Sequence, residues 1–166
     1  MSQITTPRDL FLHELGDILD VERKLVNEVL PKMIGEVQDQ KFRKGLETHR
    51  EETRAHITNV EQVFDELGAS PRTEECIGFE GLKKEQEKLA DEASEHLIDL
   101  VNTGAAARTE HYEIAAYTGL IEMARALGEQ NAVSLLDENL KSEKQTLREV
   151  ESIEKTLRDE LKAATH

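Results

Sequence analysis

Apolar residues recur at spacings of three and four along four long stretches of this 166-residue chain, and a glutamate breaks each stretch near its middle. That period belongs to helices, and no stretch alternates with period two for long enough to suggest a sheet. The first seam reads Phe11, Leu15, Ile18, Glu22, Leu25, Val29. The second reads Phe42, Leu46, His49, Glu52, His56, Val60, Val63, Leu67. The third reads Ala106, Glu110, Glu113, Tyr117, Leu120, Ala124, Leu127, and the fourth Leu136, Leu140, Glu143, Leu147, Val150, Leu157, Leu161. Such seams face a core. A carboxylate buried there without a partner costs several kcal/mol or takes up a proton. One interruption per helix points to a common cause.

The breaks between seams set the architecture. The chain has three prolines and nine glycines, read here as marking helix starts and stops. Thr6-Pro7-Arg8-Asp9 reads as an N-cap, a proline at the first helical position and an acid in the first turn. Ser70-Pro71 repeats that signal. Gly68 and Gly128 follow apolar stretches as C-terminal caps do. The expected helices are 7–37, 41–67, 94–127 and 129–163, with a short one at 79–89. Short turns near 38–40 and at Gly128 make each sequential pair antiparallel, while 68–92 is long enough to run back along the bundle. The expected fold is all-α: an antiparallel four-helix bundle of ferritin-like topology, two hairpins joined by a long crossover, in one domain over 1–166.

Spacing accounts for the glutamates. Glu22 and Glu52 are 30 residues apart, as are Glu113 and Glu143, and the midpoints fall at residue 37 and Gly128. At ~1.5 Å per residue each glutamate sits about 22 Å from its bend, so each hairpin holds its pair at one height. Packing the hairpins together would converge four carboxylates at the bundle centre. They repel one another unless cations lie between them. Carboxylate with imidazole is the ligand set of di-iron and di-manganese centres in bundles. His49 is three residues before Glu52, His56 is four after it, and Glu110 is three before Glu113, each on its glutamate's face. His49 and His56 lie on opposite sides of Glu52 along the helix, so each is a candidate ligand and one ion does not easily take both. His111 points about 100° from Glu110 and reads as a non-ligand. His13, His96 and His166 read as surface residues, Tyr117 as core packing, Tyr112 as a packing or interface residue, and Cys76 as a buried filler in the crossover.

Charge and composition narrow the function. Lys and Arg number 21 against 35 Asp and Glu, a net charge of −14. That balance disfavours nucleic acid and anionic membranes and attracts cations. No apolar run approaches the ~20 residues of a membrane span. The first residues lack a secretory signal's pattern, and a single cysteine forms no internal disulfide, so a cytoplasmic protein is expected.

Several segments resemble one family in the same order along nearly the whole chain. They are DLFLHEL near the start, HREET at His49 to Thr53, CIGFEGL at Cys76 to Leu82, EHYEIAAYTGL at Glu110 to Leu120 and LKSEK at Leu140 to Lys144. The chain resembles the ferritin-like stress proteins of the YciE/YciF type, which are distantly similar to rubrerythrins and ferritins. The resemblance implies a dimeric four-helix bundle with a dinuclear metal site and a stress role. It puts the ligands at Glu22, Glu52, Glu110, Glu113 and Glu143, with His49 next, while His56 stays a candidate by its spacing from Glu52. Glu110-x-x-Glu113 resembles the third helix of rubrerythrins. The usual Glu-x-x-His of the second and fourth helices is missing. The second carries His-x-x-Glu with a further His four residues on, and the fourth has Leu140, Thr146 and Leu147 where an imidazole could reach.

The expected function is therefore a protein holding two iron or manganese ions. It would be an oxidoreductase acting on peroxide or dioxygen, or would handle iron, in the stress response. The alternative is a helical-bundle interaction or structural protein whose metal site is vestigial or structural. A homodimer is expected rather than a storage cage.

Overall fold

Thr6 opens the first helix as the sequence predicts. Its Oγ1 accepts from the amide of Asp9 at 3.0 Å, while Asp9 Oδ2 accepts from the Thr6 amide at 2.9 Å, a reciprocal cap. The computed structural model describes residues 4–164, so His166 lies outside the described residues. The elements are α1 (Pro7–Lys24), a π-helical segment (Leu25–Val29), α2 (Leu30–Glu36), α3 (Gln40–Glu66), α4 (Ile77–Glu92), a 3₁₀ turn (Glu95–Leu97), α5 (Ile98–Leu127) and α6 (Gln130–Ala164). Among the described residues there is no strand. No described helix is long and apolar enough to cross a membrane.

The four bundle helices are α1–α2, α3, α5 and α6. They form two hairpins, with α1 packed on α3 and α5 on α6; α3 then packs on α6 and α1 on α5. The all-α ferritin-like bundle expected from the seams is what the chain forms. Asp99, in the first turn of α5, receives the amides of Gln38 and Asp39 at 2.8 Å each, pinning the first hairpin's bend to the start of the second hairpin. Gly128 ends α5 at φ +80°, a left-handed conformation that glycine adopts without a Cβ penalty, and the Glu129 amide bonds back to Ala124 O at 2.9 Å.

Three boundaries differ from the sequence reading. Ser70-Pro71 starts no helix; residues 69–76 are irregular, and Cys76 caps α4 instead, its Sγ accepting from the Phe79 amide at 3.4 Å. The short crossover helix is longer than 79–89, running Ile77–Glu92. Pro31 does not mark an end. It lies inside the first bundle helix, just past the π segment, where the Leu30 amide reaches back five residues to Leu25 O. A proline there lacks the amide that the ladder needs. The Val26 carbonyl, one turn before Pro31, accepts from Arg50 Nε of α3 at 2.9 Å. The widened turn also carries the buried face from Leu25 and Val26 to Leu30, then Met33 and Val37.

The crossover is strapped to α1. The Glu74 amide donates to Gly16 O at 3.0 Å and the Cys76 amide to Asp20 Oδ2 at 3.1 Å. Lys24 bridges Asp20 and Glu80 at 2.6 Å each. Gly16 permits this approach: a Cβ there would stand 2.9 Å from Glu74 Cγ and 3.0 Å from the Arg72 carbonyl.

Candidate metal centre

The seams converge at mid-bundle as the 30-residue spacing requires. Glu22 of α1, Glu110 and Glu113 of α5 and Glu143 of α6 are all buried, together with His49 and His56 of α3. One ligand atom each from His49, Glu110, Glu113 and Glu143 lies within 4.8 Å of the others, and the same holds for Glu22, His56 and Glu143. Glu143 belongs to both sets. The two histidines, which the sequence left as competitors, both face the core but in different halves. His49 Nε2 is 3.2 Å from Glu110 Oε1, whereas His56 Nδ1 is 2.8 Å from Glu143 Oε1 and 3.5 Å from Glu22 Oε1.

Glu52 stands apart. Its side chain is 45% exposed, and its Oε2 lies 3.9 Å from His49 Nδ1. The seam of α3 runs through His49, Thr53, His56 and Val60, all buried. At about 100° per residue Glu52 sits some 60° to one side of His49, at the edge of that face. The hairpin bend shifts the matching position as well. It is centred on Gln38, so the position level with Glu22 is Arg54, midway between Glu52 and His56, and of the two it is His56 whose ring comes within 3.5 Å of Glu22. Of the candidate residues, six come together and Glu52 touches them only through His49.

His49 also answers the missing imidazole of the last helix. Thr146 takes the place three residues after Glu143, and its Oγ1 lies 3.3 Å from His49 Nδ1. The imidazole thus reaches the centre from the facing helix. Its outer nitrogen rests between Thr146 and Glu52, the kind of contact that fixes a ligating histidine's orientation. The fourth seam buries Thr146 in place of Leu147, which is only half-buried.

Tyr117 and Asn139 extend the centre beyond what the seams suggested. Tyr117, read from sequence as packing, is fully buried, donates its hydroxyl proton to Glu22 Oε1 and accepts from Asn139 Nδ2 at 3.0 Å. Asn139 Nδ2 also reaches His56 O at 3.2 Å, and its Oδ1 accepts from Asn59 at 2.8 Å. A tyrosine and an asparagine on an apolar seam were the available signal. His111 is exposed and away from the centre, and His96 is exposed as well, as expected. His13 is half-buried, 4.0 Å from Glu74. Cys76 is buried, as expected, with its Sγ 3.0 Å from the Tyr112 hydroxyl, and burial raises its pKa to about 11.

The donor set fits a cation pair. Both oxygens of Glu113, and Oε2 of Glu22, Glu110 and Glu143, are buried with no hydrogen-bond partner. Such orphaned carboxylate oxygens are costly unless protonated or bound to a cation. Burial pushes Glu22, Glu113 and Glu143 above the usual carboxylate range, Glu113 well above it with the charges of Glu143, Glu22 and Glu110 adding to the effect. Burial alone would lower the imidazoles. The facing carboxylates outweigh it, so His49 stands well above its ordinary value and His56 at about 10. The proteins that chelate metals through such groups must release these protons first.

The chain is similar to proteins with this arrangement of helices. A family model described as a domain of unknown function, DUF892, matches residues 6–162. Protein YciF of Escherichia coli K12 is 32% identical over 143 residues, covering 85% of this chain and 86% of that protein. The crystal structure of the E. coli stress protein YciF superposes with a TM-score of 0.87 at 30% identity, over 94% of this chain and 99% of that one. YcfI of Rhodopseudomonas palustris, proposed to be a structural protein, gives 0.87 at 37% identity, over 90% and 95%. A Xanthomonas campestris protein shares the fold, with a TM-score of 0.76 at 19% identity over 96% and 99%. The bundle and the motifs agree with these matches, and the chain belongs to the DUF892 family and is a relative of YciF.

Proposed function

We propose that this protein holds two iron or manganese ions at mid-bundle and serves the stress response, acting on dioxygen or peroxide or in iron handling. The observation that carries the reading is the set of buried, unpartnered carboxylate oxygens of Glu113, Glu143, Glu22 and Glu110 beside two imidazoles. His49, Glu110, Glu113 and Glu143 would hold one ion, and Glu22, His56 and Glu143 the other, with Glu143 shared. The ions would supply redox chemistry and open coordination positions for a small oxidant. Glu52 and Thr146 keep the His49 ring aimed inward, and Tyr117 offers its hydroxyl proton to Glu22. The stress role rests on the likeness to YciF, described as a stress protein. The homodimer and the cytoplasmic location expected from sequence belong to the same proposal.

The test is metal content in protein purified without an affinity tag or chelator. Two iron or manganese ions per chain are expected, both lost in Glu143→Gln. Glu52→Gln should retain them, because its carboxylate lies outside both donor sets. No metal in the wild type after anaerobic loading would overturn the reading. One observation favours a structural or interaction role instead: the His56–Glu143, His49–Glu110 and Tyr117–Glu22 contacts offset charge without any ion. That reading expects full stability and no turnover with peroxide or ferrous iron at any metal loading.

A further inference from the structure

The two halves of the centre differ in what lies outside them. On the His56 side, Tyr117 and Asn139 are fully buried and close the bundle with their hydrogen bonds. On the His49 side lies a cavity of about 30 Å³. Leu25, Val29, Leu46, Ala106 and Val150 are among its walls, and His49, Glu52 and Glu110 stand at its polar end. Both Leu25 and Val29 belong to the π segment, so the widened turn borders this space. Gly45, Thr48, Glu149 and Ile153 are shared with a surface groove of about 500 Å³ between α3 and α6, which gives the cavity a mouth. Lys41, Lys44 and Arg148 line that groove in a chain of net charge −14.

We infer that this cavity admits a small uncharged apolar molecule, dioxygen by class, to the His49–Glu110 half of the centre, which is therefore the open half. The inference rests on the metal-centre reading and adds the identity and route of the ligand. Size comes first. A water-sized sphere needs roughly 10–15 Å³ by this measure, so the space takes about two such spheres, the bulk of a diatomic molecule. Chemistry comes second. Hydrogen peroxide must leave most of its hydrogen bonds to water behind on walls that are mainly apolar, with Thr48, Thr109 and Thr146 as the polar exceptions, at a cost of a few kcal/mol. Dioxygen forfeits almost nothing there. Charge comes third: Lys41, Lys44 and Arg148 outnumber Glu149 at the mouth and disfavour entry of divalent cations by this route.

The test uses crystals of the metal-free full chain under xenon pressure, and nitric oxide as a probe of the ferrous-loaded protein. Wild-type crystals should show xenon against Leu46, Ala106 and Val150, and Ala106→Leu should lose it. The loaded wild type should give one ferrous nitrosyl signal per chain, lost in Ala106→Leu with iron content unchanged. Gly45→Leu supplies a second variant, because a Cβ at Gly45 meets nothing within 4 Å and the added side chain starts from open space at the mouth. It should slow formation of the nitrosyl signal from the mouth side. Absence of xenon from the wild type overturns the inference. So does a nitrosyl signal undiminished and unslowed in both variants. Xenon binding in a wild type that takes up no ferrous iron supports the cavity and overturns the metal reading instead.

Discussion

Under the proposed metal reading, Glu113 sets metal binding against metal-free stability. Its two oxygens are buried and unpartnered, with three more carboxylates facing it. Replacing it with Gln removes the ionisable group at nearly constant shape. Metal-free Glu113→Gln should be more stable than wild type at pH 7 by roughly 1–3 kcal/mol, because folding no longer has to protonate a carboxyl group that is ionised in the unfolded chain. Urea unfolding after chelation checks this, and the same variant should fail to hold its full metal complement. The pH dependence follows from the same groups. His56 gains its proton more readily folded, at about 10, than unfolded, at 6.5. Its contribution is present below pH 6.5 and fades as pH rises through about 10. Glu113, raised above 4.5 by burial, pushes the same way: the folded state keeps a proton that the unfolded state has lost. Metal-free stability should therefore fall as pH climbs from about 6.5 to 10, read as the unfolding midpoint. Loaded protein should show the opposite slope over the neutral range, because binding displaces those protons. At this scale Glu22, Glu110, Glu113 and Glu143 were legible because charge on an apolar seam stands out. Tyr117, Asn139 and Thr146 were not, since uncharged polar residues sit on seams for ordinary reasons. Glu52 was misplaced because a one-face reading is blind to a 60° offset.

Among the elements, the first bundle helix departs furthest from the pattern. Its sequence spaces the seam regularly as far as Val29, yet the buried face moves five residues, from Leu25 to Leu30. Pro31 is the cause that the sequence displayed: it offers no amide to the preceding turn, and the helix widens beside it. The hairpin then supplies Arg50 Nε to the Val26 carbonyl. Arg50→Met keeps the apolar stem and removes the donor. It should cost about 1.5–3 kcal/mol, the worth of a hydrogen bond from a charged group, checked by urea unfolding of metal-free protein. A loss confined to the π segment would appear as faster hydrogen exchange over 25–36, with α5 and α6 unchanged. The hairpins were legible because caps such as Thr6 and Gly128 are local chemistry. The register of α3 against α1 was not, because it depends on where a three-residue bend falls.

For the whole molecule, two hairpins meet face to face, and the crossover ties one end of the bundle to the other. The sequence announced a long connection but put a helix start at Ser70-Pro71, where the chain instead lies irregular against α1. What decides this is contact across the chain, which no local pattern records. Gly16 is its most exposed dependence. A Cβ there meets Glu74 Cγ at 2.9 Å, a flexible side chain that can swing away, but also the Arg72 carbonyl at 3.0 Å, which is backbone. The 3.0 Å bond from the Glu74 amide to Gly16 O must then lengthen or break. Gly16→Ala should lower stability by about 1–3 kcal/mol, the usual cost of overpacking. In a chain of this length each kcal/mol corresponds to about 2–4 °C in Tm. The damage should stay local. Limited proteolysis should cut faster within 69–76, while α3 and α6 keep their exchange protection and metal uptake at the proposed centre matches wild type. Equal loss of protection in all four bundle helices would mean that the strap holds the hairpins together, rather than merely lying along them.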